Sequence, residues 1–199
     1  MPAIPEAIIK MTPLNTLKQK ITDHTATIGI VGLGYVGLPL ALCFTEKNFK
    51  VLGFDVDPEK VEKLNRGECY IKHLDPIRLQ TATGNLPQDI ADKDGNSDHG
   101  IQSDPSQKDC DEIHNSSFII HNSTNQRSLF QATDNFDRLV ECDAILICVP
   151  TPLGPHKEPD LSYVVNSTKS IRKTLRKGQL IILESTTYPG TTDELLREI

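Results

Sequence analysis

The sequence predicts an α/β fold, a doubly wound parallel sheet with helices on both faces. Three observations predict it. Short apolar runs alternate along the chain with amphipathic stretches of helical period. The runs are continuously apolar, as strands buried on both faces must be. The first of them enters an apolar helix through Gly32-Leu-Gly-Tyr-Val-Gly37, the strand–turn–helix unit from which such sheets are built.

The elements follow in order. Residues 1–12 are too irregular for an element, and residues 1–24 form an N-terminal tail with one short helix. Thr12-Pro13 starts that helix, with proline at the first helical position, and Leu14, Leu17 and Ile21 give it one apolar edge. Residues 25–199 form the domain. Strand one is about Ala26–Val31 and helix one about Tyr35–Glu46. Strand two is Val51–Asp55. Asp57-Pro58 starts a helix carrying Val61 and Leu64 that closes near Gly67. Strand three is Ser128–Ala132, followed by a short helix at about Asn135–Glu141. Strand four is Asp143–Val149. Leu161–Arg176 is an amphipathic helix with Val164, Val165, Ile171 and Leu175 at apolar positions, ended by Gly178. Strand five is Leu180–Leu183, and a last helix begins near Thr191, with Leu195, Leu196 and Ile199 inward.

Residues 84–127 break this pattern. They hold eight acidic and three basic residues, much Asn, Ser and Gln, and few apolar residues beyond Phe118-Ile-Ile. Such a stretch buries too little apolar surface to order itself, so it is expected to be an acidic, flexible insert. If it disorders the crossover that it ends, strand three pairs poorly.

The glycines carry the first chemistry. G-x-G-x-x-G between an apolar strand and a helix is the dinucleotide-binding fingerprint of a Rossmann-type sheet. Gly32 serves the tight turn. Gly34 lets a pyrophosphate reach the backbone, and Gly37 lets helix and strand pack closely. N–H groups at the helix start, with the positive dipole end behind them, suit phosphates. Strand two ends in Asp55, 18 residues after Gly37, close to the expected spacing. A carboxylate there accepts hydrogen bonds from ribose hydroxyls and repels a 2′-phosphate, which predicts NAD over NADP. Asp57 is a second candidate.

Composition narrows the class. With 199 residues and a formal charge of −6, the chain has room for one sizeable domain and no basic surface for nucleic acid. No apolar run is long enough for a transmembrane helix, and the N-terminus lacks the pattern of a signal peptide, so no membrane partner is expected. The five cysteines (43, 69, 110, 142 and 148) are scattered without a C-x-x-C. They read as reduced thiols of a cytoplasmic protein, with Cys43, Cys142 and Cys148 as core fillers. No metal is expected. Asp92-x-Asp94-x-Asn96-x-Asp98 starts like a calcium loop, but Ser97 replaces the glycine and Ser103 the final glutamate. The spacing of Cys110, His114 and His121 fits no zinc motif. Lys169, Arg172, Lys173, Arg176 and Lys177 suit the negative end of their helix as a solvated face.

Further motifs point to a family. Strand four ends in Cys148-Val-Pro-Thr-Pro-Leu153, and Lys157-Glu-Pro-Asp-Leu-Ser-Tyr-Val164 follows. Strand five ends in Leu183-Glu-Ser-Thr-Thr-Tyr-Pro-Gly-Thr-Thr-Asp-Glu194. With Val31–Leu40 and Gly53-Phe-Asp-Val-Asp57, these closely resemble the N-terminal domain of the UDP-glucose/GDP-mannose dehydrogenase family. The resemblance covers roughly residues 12–80 and 128–199. The Lys-Glu-Pro-Asp-Leu-Ser-Tyr and Glu-Ser-Thr-Thr-Tyr-Pro-Gly wording looks most like the UDP-N-acetylglucosamine 6-dehydrogenase branch.

The resemblance implies an NAD-dependent enzyme that oxidises the C6 alcohol of a UDP-sugar, UDP-N-acetylglucosamine or UDP-glucose, to a carboxylate with two NAD, for polysaccharide precursor synthesis. It implies that Gly32, Gly34, Tyr35, Val36, Gly37, Asp55, Val149, Pro150, Thr151, Pro152, Glu184, Ser185 and Thr186 contact the cofactor. Thr186 has a supporting catalytic part, holding water or the substrate oxygen. Tyr188 packs either on the cofactor or in the core. In the family a cysteine captures the aldehyde intermediate and a lysine assists. None of the five cysteines here matches that position, and the segment is expected in later parts, with the dimerisation helix and the UDP-binding domain. The chain stops at Ile199 inside an apolar-periodic helix without a stop signal, which reads as a truncated chain. The full-length form is then expected to be a homo-oligomer and the isolated chain inactive. A non-catalytic NAD-binding module or partner subunit is the competing reading. A 3-hydroxy acid dehydrogenase lacks the two proline-containing motifs.

Overall fold

Five parallel strands form the sheet of the computed structural model, which describes residues 12–85, 128–154 and 158–199. The elements are α1 (Pro13–Thr22), β1 (Thr27–Val31), α2 (Gly37–Glu46), β2 (Lys50–Phe54), α3 (Pro58–Asn65), α4 (Pro76–Thr83), β3 (Phe130–Thr133), a 3-10 helix (Phe136–Glu141), β4 (Ala144–Ile147), α5 (Ser162–Thr174), β5 (Leu180–Leu183) and a π-helical turn (Thr192–Leu196). The strand order is β3-β2-β1-β4-β5. The chain therefore runs outward from β1 to one edge, then crosses back to β4 on the other side. That reversal opens a crevice between β1 and β4 at their carboxyl ends, where ligands of such sheets bind.

Burial explains why these residues form strands. Alternate side chains of each strand enter two separate cores. Ile28, Ile30, Val51, Phe130, Ala132 and Leu146 pack with Leu38, Ala41 and Leu42 of α2, Leu64 of α3 and Leu79 of α4. Val31, Leu52, Phe54, Ile145 and Ile147 pack with Leu139 and with Ile171 of α5. Each of the larger side chains contributes about 1.5–3 kcal/mol by leaving water, and both faces are used, so no polar alternation is visible in the sequence.

Several expectations are corrected in detail. Strand three pairs fully with β2, Val51 opposite Phe130 through Phe54 opposite Thr133, so the crossover before it does not spoil its register. The sequence reading lacked α4. Its start is the same device as that of α3: Asp75 caps with its carboxylate accepting the Ile77 N–H at 2.9 Å, and Pro76 follows. Gly84 ends it in the left-handed conformation. The remainder of the proposed insert, 86–127, lies outside the described residues, as do the calcium-like and Cys110/His114/His121 patterns. Of the apolar edge of α1, Leu17 alone is buried, with Leu14 and Ile21 exposed. Cys142 and Cys148 are core residues, but Cys43 faces outward on α2, within 3.6 Å of the Arg78 guanidinium. Leu195, Leu196 and Ile199 are half-buried. Among the described residues, no helix is long and apolar enough to cross a membrane.

Arg176 also departs from the solvated face assigned to it. It donates to the carbonyls of Val140 and Cys142 and to Asp143 Oδ1, all within 2.9 Å. Asp143 lies at the amino end of β4 and also accepts from Lys20 Nζ at 2.8 Å and from the Thr27 N–H at 3.1 Å. Burial alone would raise this carboxyl, but the Lys20 and Arg176 hydrogen bonds and the Thr27 amide hold it below its ordinary value. One buried carboxylate thus ties α1, β1, β4 and the end of α5 together beneath the sheet, opposite the crevice.

Candidate functional site

A cleft of about 930 Å³ occupies the crevice at the carboxyl ends of β1, β2, β4 and β5. Its floor is the glycine-rich loop, and each glycine there has a different reason. Gly32 has φ +92°, and an added Cβ would sit 2.9 Å from the Cys148 carbonyl oxygen, so the turn admits no side chain. At Gly37 an added Cβ would lie 1.8 Å from the Gly32 carbonyl oxygen, which sets the close approach of α2 to β1. Gly34 differs. An added Cβ there would meet no atom of the described residues within 4 Å, and the residue lines the cleft. Among the described residues, none requires a glycine at this position, and the open space leaves room for a molecule to lie against the backbone.

The start of α2 supports the same reading. Thr12, Asp57 and Asp75 cap α1, α3 and α4 with side-chain oxygens; the N-cap residues of α2 and α5 do not, but at α5 Asp160 Oδ1 accepts the Ser162 N–H at 2.9 Å instead. Among the described residues, none accepts a backbone hydrogen bond from the N–H of Gly34, Tyr35 or Val36. Tyr35 (81% exposed) and Val36 stand at the rim. Uncapped amides at the positive end of a helix suit an anion.

Asp55 lies at the end of β2 and lines the cleft, though it is only 8% exposed. Its Oδ2 accepts the Leu33 N–H and its Oδ1 the Asp57 N–H, both at 3.1 Å. Each oxygen keeps a second acceptor site for a hydroxyl. Lys60 Nζ lies 3.9 Å from Asp55 Oδ1 and 3.9 Å from Asp57 Oδ2. Asp57 is not at the lining. Its Oδ1 accepts the Glu59 N–H at 3.0 Å and the Lys60 N–H at 3.4 Å as the cap of α3.

The opposite wall comes from β4 and β5. Val149, Pro150 and Thr151 line it, with Glu184, Ser185 and Thr186. Ser185 Oγ donates to the Val149 carbonyl at 2.7 Å, which joins the two strand ends. Cys148 also lines the cleft, but burial and then the Glu184 carboxylate push its thiol up to about 11, so it stays protonated at neutral pH. Two expected contacts stand outside the lining. Gly37 lies beneath the loop in the packing just described. Pro152 turns away, its carbonyl accepting the Asp160 N–H at 2.7 Å beside the bridge of Leu153 to Pro159. Tyr188 is half-exposed, does not line the cleft, and its carbonyl accepts from Thr191 Oγ1 at 2.7 Å.

Sequence reasoning missed Lys60, Tyr70 and Phe136, and one face of α5: Tyr163, Asn166, Ser167 and Ser170. The α5 residues recur at helical spacing, and that polar stripe is the signal that marks them in the sequence. Tyr70 lies in an irregular loop and had no periodic signal. Among the described residues, no group of three His, Cys, Asp or Glu is placed to hold a metal.

Comparison with known proteins decides the family. Residues 26–97 and 107–199 match the model of the UDP-glucose/GDP-mannose dehydrogenase family, NAD binding domain. The chain belongs to that family. NAD is the cofactor of the matched domain. The match takes in most of the stretch read as an insert and skips only 98–106. UDP-N-acetyl-D-glucosamine 6-dehydrogenase of Pseudomonas aeruginosa is 31% identical over 167 residues, 84% of this chain and 29% of that protein. UDP-N-acetyl-D-mannosamine dehydrogenase of Salmonella typhi is 32% identical over 169 residues, 85% of this chain and 30% of the relative. The chain thus spans about 30% of the length of these curated relatives. Among solved structures, NDP-N-acetyl-D-galactosaminuronic acid dehydrogenase of Methanosarcina mazei superposes with a TM-score of 0.61 at 27% identity, covering 92% of this chain and 32% of that one.

Proposed function

We propose that this chain is the NAD-binding part of a nucleotide-sugar 6-dehydrogenase, which oxidises the C6 alcohol of a UDP-sugar to a carboxylate. The observation that carries the reading is Gly34. It is a glycine with open space above it, in a loop whose other glycines have internal reasons, beneath an uncapped helix start. That combination fits the diphosphate of a dinucleotide. The curated relatives are named for UDP-N-acetyl-D-glucosamine and UDP-N-acetyl-D-mannosamine, which supports a UDP-sugar as the substrate class; within it we favour UDP-N-acetylglucosamine, with UDP-glucose second.

NAD, when bound, supplies the hydride acceptor. The chain's own residues then have distinct parts. The amides of Gly34, Tyr35 and Val36 donate to the diphosphate. Asp55, already oriented by two backbone N–H groups, accepts from the adenosine ribose and disfavours a 2′-phosphate. Val149, Pro150 and Thr151 wall the cofactor. Ser185 is a strut, because its hydroxyl is spent on Val149. Thr186 is left to hold water or the substrate oxygen near the reacting end. The cleft thiol, Cys148, is protonated and serves packing. We expect the 199-residue chain alone to bind NAD without turning over a UDP-sugar.

The test is a chimera in which residues 26–199 replace the matching part of the Pseudomonas aeruginosa relative. A folded chimera that binds NAD should form two NADH per UDP-N-acetylglucosamine, the sugar the relative is named for. NAD binding without reduction would count against a catalytic role for this domain and favour a non-catalytic NAD-binding module.

A further inference from the structure

We propose that Tyr70 is a positioning residue: through its hydroxyl it sets the Leu33–Gly34 peptide so that the Gly34 N–H serves as a diphosphate donor. The inference rests on the reading of the cleft as an NAD site and names a residue outside every motif that led to it.

Leu33 is held on three sides. Its N–H donates to Asp55 Oδ2 at 3.1 Å. Its side chain is fully buried beside Gly53, where an added Cβ would come within 2.7 Å of Leu33 Cδ2. Its carbonyl oxygen accepts the Tyr70 hydroxyl. The third contact has a consequence for the next amide. The Leu33 carbonyl and the Gly34 N–H belong to one planar trans peptide and point in opposite directions. Fixing the carbonyl toward Tyr70 fixes the Gly34 N–H away from it. Gly34 has no Cβ to oppose a flip of that peptide, so its orientation depends on an external partner. Without the hydroxyl, the flipped peptide would trade a donor for a carbonyl oxygen that repels phosphate.

Tyr70 is suited to this part. It lines the cleft from the loop after α3, half-buried, with Lys60 Nζ 5.9 Å from its ring centre. Lys60 in turn lies beside Asp55, so the contacts form a closed circuit of Asp55, Leu33, Tyr70 and Lys60. Burial, then the Asp55 carboxylate, push the phenol well above its ordinary value, and it remains a donor at any pH where the fold is studied.

The test is Tyr70→Phe in the 199-residue chain, which keeps the ring and removes the hydroxyl. Affinities for NAD, ADP and adenosine are measured by calorimetry and ligand-observed NMR. NAD and ADP should weaken together, by about five- to tenfold for one lost hydrogen bond, with adenosine unchanged. Unchanged NAD and ADP affinity overturns the proposal, as does an equal loss for adenosine, which carries no phosphate. A second measurement uses the unmutated chain: hydrogen exchange at the Gly34 amide should slow when NAD or ADP is added. No protection at that amide in a saturated complex overturns the proposal even if the variant fails to fold. Failure of the unmutated chain to bind NAD would instead overturn the underlying reading of the cleft.

Discussion

Gly34 and Gly37 are three residues apart and identical in composition, yet their substitutions should fail in different ways. Gly34→Ala places a methyl in open space above the cleft floor. Stability should change by less than about 0.5 kcal/mol, while NAD affinity falls at least about tenfold, or about 1.4 kcal/mol. Gly37→Ala drives a methyl into the Gly32 carbonyl, backbone that has nowhere to move. Thermal denaturation should show a loss of about 3 kcal/mol or more. Asp55→Asn keeps the size of the side chain, removes the charge and replaces one acceptor oxygen by a donor. Paired titrations with NAD and NADP should show weaker NAD binding and a smaller preference over NADP. An unchanged preference would mean that Asp55 serves only the Leu33 and Asp57 amides. At this scale the sequence was informative about place: Gly32 makes the tight turn, and Gly34 and Asp55 line the cleft. It was silent for Tyr70, because a tyrosine in an irregular loop has many ordinary uses.

Among the elements, α1 is tied to the sheet through an ion pair. It precedes the family match, which starts at residue 26, and is pinned by Lys20 to Asp143. Asp143→Ala leaves Lys20 and Arg176 without their carboxylate and the Thr27 N–H without its acceptor. We expect a loss of about 2 kcal/mol or more and unchanged NAD affinity, since the clamp lies at the end of the sheet opposite the cleft. The pH dependence has a definite sign. The folded-state value of Asp143 is depressed, so its stabilisation is present above the ordinary carboxylate range. It is lost as pH falls through the lowered value. Melting temperature followed from neutral to acid pH should fall more steeply in the unmutated chain than in Asp143→Asn. A parallel decline in both would assign the acid sensitivity to other carboxylates. Elements were legible where a long apolar run or a cap-plus-proline start marked them. Asp57-Pro58 was read and Asp75-Pro76 was not, although the chemistry is the same. The second helix buries only Leu79 and Ala82, too short a stripe to show a period.

For the whole molecule, strand order matters more than any one strand. The order β3-β2-β1-β4-β5 brings together residues as distant in sequence as Gly34, Asp55, Val149 and Thr186. Alternation of strands and helices predicted a doubly wound sheet, and the ends of its strands predicted the walls of the cleft. The sequence reading left out Lys60 and the polar face of α5, which line the cleft because the strand order sets α3 and α5 beside it. The doubt about strand three arose from composition alone and is answered by its full pairing with β2. The central claim is that this chain holds NAD in that cleft. Its most direct test is calorimetric titration of the folded 199-residue chain with NAD, and in parallel with NADP, at neutral pH. Saturable binding of one NAD per chain, with NADP clearly weaker, is the predicted result. A folded chain that shows no saturable NAD binding, or that prefers NADP, would contradict it.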